Sequence, residues 1–205
     1  PIHVENEANL AAIAEYWRGA AQGLRSFLLV CGEVGVGGGI FVEGELFRGA
    51  HGYGGEIGHI TIDTSGRRCK CGNYGCLEAY ASGPAIASRA VEAVESGAPS
   101  RLADFAGGDL ARVTAQTVYE AASHGDDLAR EVVGDTLVNV LNPEIVVVCG
   151  GVTLAGEWLF GPLRREVARR AFRPAVDACR IVPGALVGSA GVYGAACAFL
   201  QQRHA

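Results

Sequence analysis

The sequence predicts an α/β domain built on a mixed sheet with helices on its faces. Three observations carry that prediction. Phe27–Cys31 and Glu144–Cys149 are unbroken apolar runs, and Pro143 and Gly150-Gly151 bound the second, as expected of strands buried on both sides. Ile40-Phe41-Val42 and Leu46-Phe47 are separated by Glu43-Gly44-Glu45, the pattern of antiparallel strands joined by a tight turn. Segments with apolar residues at helical spacing surround these strands.

Taken in order, Ile2-His3-Val4 reads as a short strand. From Ala8 to about Ala21 the residues Leu10, Ile13, Ala14, Trp17 and Ala21 recur at helical spacing, and Gly23 ends the helix. The strand Phe27–Cys31 follows, then a turn at Gly35–Gly39 and the hairpin segments. Beyond residue 78, Ser82 is a helix N-cap with Pro84 just inside a helix reaching about Ser96. Ser100–Phe105 and Thr114–Ser123 are shorter helices. Asp126–Leu141 is a long one that Asn142-Pro143 stops. The strand Glu144–Cys149 leads through Gly150-Gly151 to a helix with its body at Leu163–Phe172. Arg180–Val182 is a last strand and Ser189–Gln202 a last helix. No repeat, linker or low-complexity segment interrupts the series.

The totals narrow the function classes. With 205 residues the chain suffices for one large domain or a domain and a half. At 49% hydrophobic, 19% charged and 30 glycines it is compact with many tight turns. A net charge of −5 and a pI near 5.5 disfavour a polyanion, so this segment is a poor holder of DNA. No apolar run reaches 18 residues, and no secretory leader is present, which argues against a membrane partner. Seven cysteines, an odd number, argue for a reducing cytoplasm. Cys31, Cys149, Cys179 and Cys197 sit in apolar surroundings and read as core. The chain opens at Pro1 directly into an ordered motif, which leads to the expectation of a fragment of a longer protein.

The chemistry concentrates in Gly54–Glu78, GGEIGHITIDTSGRRCKCGNYGCLE. His59, Cys69, Cys71 and Cys76 are spaced H-x9-C-x-C-x4-C among residues that let a chain double back, Ser65-Gly66, Gly72-Asn73 and Gly75. Three thiolates and an imidazole fill the four corners of a tetrahedral zinc and leave no open position, so the site would be structural. Such a metal staples a loop too polar and glycine-rich to bury a core. The alternatives are ordinary free cysteines, or a disulfide in a chain with no secretory features.

The run GGEIGH followed by CKCGNYGCLE resembles the signature of the ROK family, which groups bacterial sugar kinases with sugar-responsive transcriptional regulators. The resemblance implies an actin-like, ribonuclease-H-like fold of two α/β domains facing a cleft. It further implies that residues 1–205 are the second, C-terminal domain, with the first domain and any helix-turn-helix segment outside this chain. On this reading the resemblance is to the C-terminal part of the family only, and most of all to its regulators.

The resemblance also assigns residues. Asn6-Glu7 matches an Asn-Asp pair whose Asp is the kinase general base. The extra methylene of Glu7 moves the carboxylate by about 1.5 Å, and a misplacement near 1 Å can cost on the order of a hundredfold. The alternative is a helix N-terminal acid favoured by the macrodipole. Asn6, Glu7, Glu56, His59 and Glu78 match positions that contact hexose hydroxyls. His59 would bind zinc through one ring nitrogen and face the sugar with the other. Solvated loop and helix-terminal acids are the alternatives for Glu56 and Glu78.

Gly32–Gly39, GEVGVGGG, matches a nucleotide-phosphate turn, with Gly35, Gly37 and Gly38 in register. Glu33 replaces a glycine, however, and Val34 a threonine hydroxyl. Two like charges 4 Å apart repel by about 4 kcal/mol at an effective dielectric near 20, so the turn is inhospitable to a triphosphate. Cys149-Gly150-Gly151-Val152 matches an adenosine-side loop, or is an ordinary strand-to-helix turn. The sequence reading is therefore the sugar-sensing domain of a ROK transcriptional regulator with kinase activity lost. It would hold structural zinc, form a homodimer in the cytoplasm, and reach DNA through a segment outside this chain. The alternative is an ATP- and Mg-dependent sugar kinase.

Overall fold

The structure, a computed structural model, describes residues 2, 4–126, 144–170, 173–186 and 188–202. A five-stranded mixed sheet, in the order β3-β2-β1-β4-β5, forms its centre. β1 (Phe27–Gly32), β2 (Val36–Val42) and β3 (Glu45–Leu46) make an antiparallel meander. β4 (Ile145–Cys149) and β5 (Arg180–Pro183) continue the sheet in parallel from β1. The helices are α1 (Glu7–Arg18), α2 (Glu78–Ala81), α3 (Gly83–Glu95), α4 (Leu102–Phe105), α5 (Ala115–Ser123), α6 (Glu157–Arg170), α7 (Arg173–Ala178) and α8 (Ala190–Gln202).

Alternation along β1 and β4 sends side chains to two cores. Phe27, Leu29, Ile145, Val147 and Cys149 pack with Ala11 and Ala12 of α1 and Cys197 of α8. Leu28, Val146 and Val148 face the other way, onto Ile86 of α3, Val118 of α5 and Phe160 of α6. This two-sided burial explains why both strands read as unbroken apolar runs, and each such side chain contributes roughly 1.5–3 kcal/mol. Tyr16, Phe41 and Phe27 stack at the sheet edge, with Phe41 4.7 Å from each neighbour. The turn into β3 has positive φ at Glu43 (53°) and Gly44 (89°), the geometry that matches the strand twist of a tight hairpin.

Several expectations are corrected. Val36–Gly39 belongs to β2, and the turn is confined to residues 33–35. Glycine is needed in this strand because helix and strand nearly touch. A Cβ at Gly39 would lie 2.4 Å from the Ala12 Cβ, and one at Gly37 2.9 Å from the Ala8 Cβ. Ile13, Ala14 and Ala21 are buried as expected, but Trp17 is 39% exposed, and α1 also buries Ala8, Ala11, Ala12 and Glu15. Ile2 and Val4 are exposed and outside any strand. Of the four cysteines read as core, only Cys149 is buried; Cys31, Cys179 and Cys197 are half-buried. The helix expected at Leu163 begins at Glu157, after a 3-10 segment at Gly151–Ala155. The long helix expected over 126–141 lies outside the described residues, apart from Asp126, which caps α4 by accepting from the Ser100 hydroxyl and the Arg101 N–H, each at 2.7 Å. Among the described residues no helix is long and apolar enough to cross a membrane.

Candidate functional site

The residues of the 54–78 loop fold back on themselves through short-range bonds. The Cys69 N–H donates to the Asn73 carbonyl (2.8 Å), the Gly75 N–H to the Arg67 carbonyl (2.7 Å) and the Leu77 N–H to the Ile60 carbonyl (2.9 Å). Gly72 (φ 96°) and Gly75 (φ 70°) supply the left-handed corners. The Tyr80 hydroxyl accepts from the Arg67 N–H (2.9 Å) and donates to Asp63 (3.2 Å). The Arg67 guanidinium forms a two-bond pair with Glu92 of α3.

This lacing brings the ligand atoms of His59, Cys69, Cys71 and Cys76 within 4.8 Å of one another. The His59 Nδ1 lies 3.8 Å from the Cys69 Sγ, and the Cys71 and Cys76 sulfurs lie 3.7 Å apart. A tetrahedral zinc with sulfur ligands at about 2.3 Å needs edges of about 3.8 Å, so the donor set fits that ion. The Asn73 backbone N–H, then the neighbouring thiols, hold the Cys71 thiol below its ordinary value. Burial and the same neighbours push Cys76 up to about 12. A divalent cation would override this split by stabilising every thiolate.

The loop grips the start of β2 from two sides. On one side Glu78, opening α2, accepts the Val36 N–H at 2.9 Å, while its other oxygen lies 3.9 Å from the Cys69 Sγ. On the other, Gly58, beside His59, packs so closely that a Cβ would come 2.0 Å from the Val36 carbonyl. The N-terminus of α1 meets the same strand through Ala8 and Gly37. β2 is thus the strand against which Glu78, Gly58 and the first turn of α1 all pack. Asn6 caps α1, its side-chain oxygen Oδ1 accepting from the Ala8 (2.8 Å) and Asn9 (3.3 Å) N–H groups, which leaves its side-chain NH2 group to a ligand. Glu7 is exposed in the first turn of α1, and Glu56 and His59 are exposed on and beside the 3-10 segment Ile57–His59. Glu5, which no motif singles out, anchors this corner. Burial raises its pKa, but the bonds it accepts from Asn9 (2.9 Å), the Asn6 N–H (3.0 Å) and Arg48 (2.9 Å) together hold it below the ordinary value.

The other side of the β1–β2 turn faces the glycine loop after β4. A Cβ at Gly150 (φ 92°) would sit 2.4 Å from the Gly32 carbonyl. The Glu33 carboxylate crosses the gap and accepts the Gly151 N–H at 3.1 Å, while its backbone carbonyl accepts the Gly83 N–H at 2.7 Å. Here opens a cavity of about 530 Å³, lined by residues including Val34, Pro84, Ala115, Tyr119, Gly151 and Leu154. Burial first, then the Glu33 and Glu7 carboxylates, push the neighbouring Cys31 thiol up to about 11.

The family model for the ROK family matches residues 1–202. The chain therefore belongs to the ROK family, and its fold is the actin-like hexokinase fold with a His/Cys metal-binding loop. It is 38% identical to a glucokinase of Halalkalibacterium halodurans over 216 aligned residues, covering 100% of this chain and 65% of that protein. Among solved structures, a ROK family glucokinase from Streptomyces griseus in complex with glucose and AMPPNP superposes with a TM-score of 0.84 at 31% identity, over 96% of this chain and 67% of that one. A ROK family transcriptional regulator, a homolog of the E. coli MLC protein, gives a TM-score of 0.84 at 30% identity over 96% of this chain and 51% of that one. The chain thus spans a little under two thirds of the length of the glucokinase relative.

These findings correct the sequence reading that confined the resemblance to the C-terminal part of the family and set it nearest the regulators. The match runs through residues 1–202, and the superposed structures cover 96% of the chain. The relatives divide between kinases and regulators, and the higher identity together with the larger shared length favours the kinases.

Proposed function

We propose that this chain forms the sugar-binding face of a ROK protein that takes a hexose or hexose derivative and transfers phosphate to it from ATP. Asn6, Glu56, His59 and Glu78 hydrogen-bond the sugar hydroxyls, a task suited to carboxylates and amides because each hydroxyl is both donor and acceptor. Glu7 takes the proton from the attacking hydroxyl. Gly35, in the turn itself, offers backbone to the phosphates, with Gly37 and Gly38 behind it in β2, and Gly150 and Gly151 lie on the adenosine side. Zinc, held by His59 Nδ1, Cys69, Cys71 and Cys76, fixes the loop and leaves His59 Nε2 for the sugar. Thiol ligands of this kind suit a reducing cytoplasm.

The observation that carries this reading is the packing of three elements against the first residues of β2. Glu78, the segment before His59 and the N-terminus of α1 all pack against the start of β2. The test is calorimetric titration of glucose, other aldohexoses and their N-acetyl derivatives, followed by a coupled assay for ADP release. Binding of one sugar with turnover supports the kinase. Binding without turnover supports the second reading, a sugar-sensing regulator. One contact favours that second reading: Glu33 occupies the Gly151 N–H beside an exposed Val34 in the turn that should receive phosphates. If no sugar binds, both readings fail.

A further inference from the structure

Asn9 departs from the rule that buried polar atoms find hydrogen-bond partners. It is 1% exposed in the first turn of α1, and its Nδ2 donates to the Glu5 carboxylate at 2.9 Å. Among the described residues its Oδ1 is buried and meets no donor. Turning the amide over would aim that oxygen at the carboxylate, so Glu5 sets the orientation. A leucine of similar shape would fill the space without a stranded acceptor. The amide at this position therefore serves Glu5 and not the core.

Glu5 in turn joins two parts of the proposed sugar face. Its Oε1 accepts the Asn6 N–H at 3.0 Å as well as the Asn9 amide, and its Oε2 accepts the Arg48 Nε at 2.9 Å. Arg48 is the base of a short loop. Its carbonyl accepts the Gly54 N–H at 2.8 Å, and positive φ at Gly49 (68°) and Gly52 (83°) turns the chain between them. Gly55 (φ 91°) then lies against β2, where a Cβ would come 2.7 Å from the Gly38 carbonyl oxygen, and Glu56 follows. One half-buried carboxylate thus stands between the head of α1, with Asn6 and Glu7, and the loop that delivers Glu56.

We propose that Glu5, oriented by Asn9, is a positioning residue of the sugar site: it fixes Asn6 and Glu56 relative to each other, so that both grip one sugar at once. Glu5 itself touches no substrate. Ordering the two arms before the sugar arrives removes part of the ordering cost from binding. The stranded Asn9 acceptor is the stability that the fold gives up for this order. The inference rests on the sugar-binding reading above, and it holds whether or not phosphate is then transferred.

Three variants of the full protein test it. Asn9→Leu removes the bond to Glu5 together with the stranded acceptor. Glu5→Gln keeps a carbonyl for the Asn6 N–H and removes the charge that holds Arg48. Arg48→Ala removes that partner. Each is melted, then titrated calorimetrically with the sugar that binds the parent most tightly among glucose, other aldohexoses and their N-acetyl derivatives. Sugar affinity should fall by about tenfold in each variant, the scale expected when a site loses the contacts that preorganise it. Asn9→Leu should melt at the parent's temperature or above it, because the stranded acceptor is gone. Stability and affinity then move apart, which a merely structural residue would not produce. Glu5→Gln combined with Arg48→Ala should bind no more weakly than Glu5→Gln alone, since both break one bridge. Glu5→Gln, at a partly exposed side chain, carries the test should Asn9→Leu not fold. Sugar affinity within about twofold of the parent in Asn9→Leu and Glu5→Gln would overturn the proposal, as would fully additive losses in the double variant. So would affinity that falls only in step with the melting temperature. A parent that binds none of these sugars overturns the sugar-site reading, and this proposal with it; a parent that binds while the variants bind equally well overturns the proposal alone.

Discussion

At the scale of single residues, two carboxylates of similar sequence appearance have opposite fates. Glu7 is exposed at the first turn of α1, in reach of a ligand. Glu15, two turns on, is fully buried and accepts the Ala20 N–H (2.7 Å), the Ala185 N–H (3.1 Å) and the Leu186 N–H (2.9 Å). Replacing Glu7 with Gln should lower sugar phosphorylation by about a hundredfold or more while sugar affinity changes little, because only the proton acceptor is lost. Glu7→Asp should raise turnover above the parent by shortening the arm. Steady-state kinetics with separate sugar titration check both. Glu15→Ala should destabilise by about 3 kcal/mol, since it strands three backbone donors in a closed site, and a denaturant midpoint reads this out. No local signal marks Glu15, because two of its three partners, Ala185 and Leu186, lie 170 and 171 residues away.

At the scale of elements, the glycine strand and the metal loop were legible to different degrees. The ligands His59, Cys69, Cys71 and Cys76 fall within one short segment among turn glycines, so spacing alone brought them together. The glycines of β2 looked like a turn because their cause is α1, packed against them from a distant part of the chain. Gly39→Ala should cost about 1–3 kcal/mol, the usual penalty of overpacking, because its Cβ would press on Ala12 and on the Ala8 carbonyl. A lowered thermal midpoint with unchanged metal content is the expected outcome. The Arg67–Glu92 pair that ties the loop to α3 gives a pH dependence. Arg67, then Ser88, hold Glu92 down to about 2 from an ordinary 4.5. The folded pKa is depressed, so the contribution is complete above pH 4.5 and disappears as pH falls toward 2. Because the pair is exposed, it is worth at most about 1 kcal/mol. Comparing the melting of the parent and Glu92→Gln at pH 6 and pH 3 should show a small difference that is smaller at the lower value.

At the scale of the whole molecule, the main strand segments and several of the covering helices followed from apolar runs and capping residues, whereas the strand order did not. Ser82 caps α3 and Thr114 caps α5 with a reciprocal capping box, as local chemistry leads one to expect. What sequence could not supply is how the two halves of the sheet close around the β1–β2 turn. The Glu33–Gly151 bridge, the Val36–Glu78 bond and the buried Glu15 all join distant segments, and each reads in isolation as an ordinary surface acid. Together they make the glycine turn the meeting point of a metal-pinned loop on one side and a cavity on the other. Stripping the metal should lower the unfolding midpoint by about 6–12 °C, the shift that about 3 kcal/mol of lost ligand stabilisation gives in a chain of this size.

The most direct test of the account is a sugar titration of the protein before and after chelation, with zinc counted by elemental analysis in both samples. The account predicts close to one zinc per chain, saturable binding of a hexose or its derivative, and loss of that binding once the zinc is gone. A protein that carries no zinc as isolated, or one that binds the same sugar equally well without it, would contradict the claim that the metal holds the sugar site in shape.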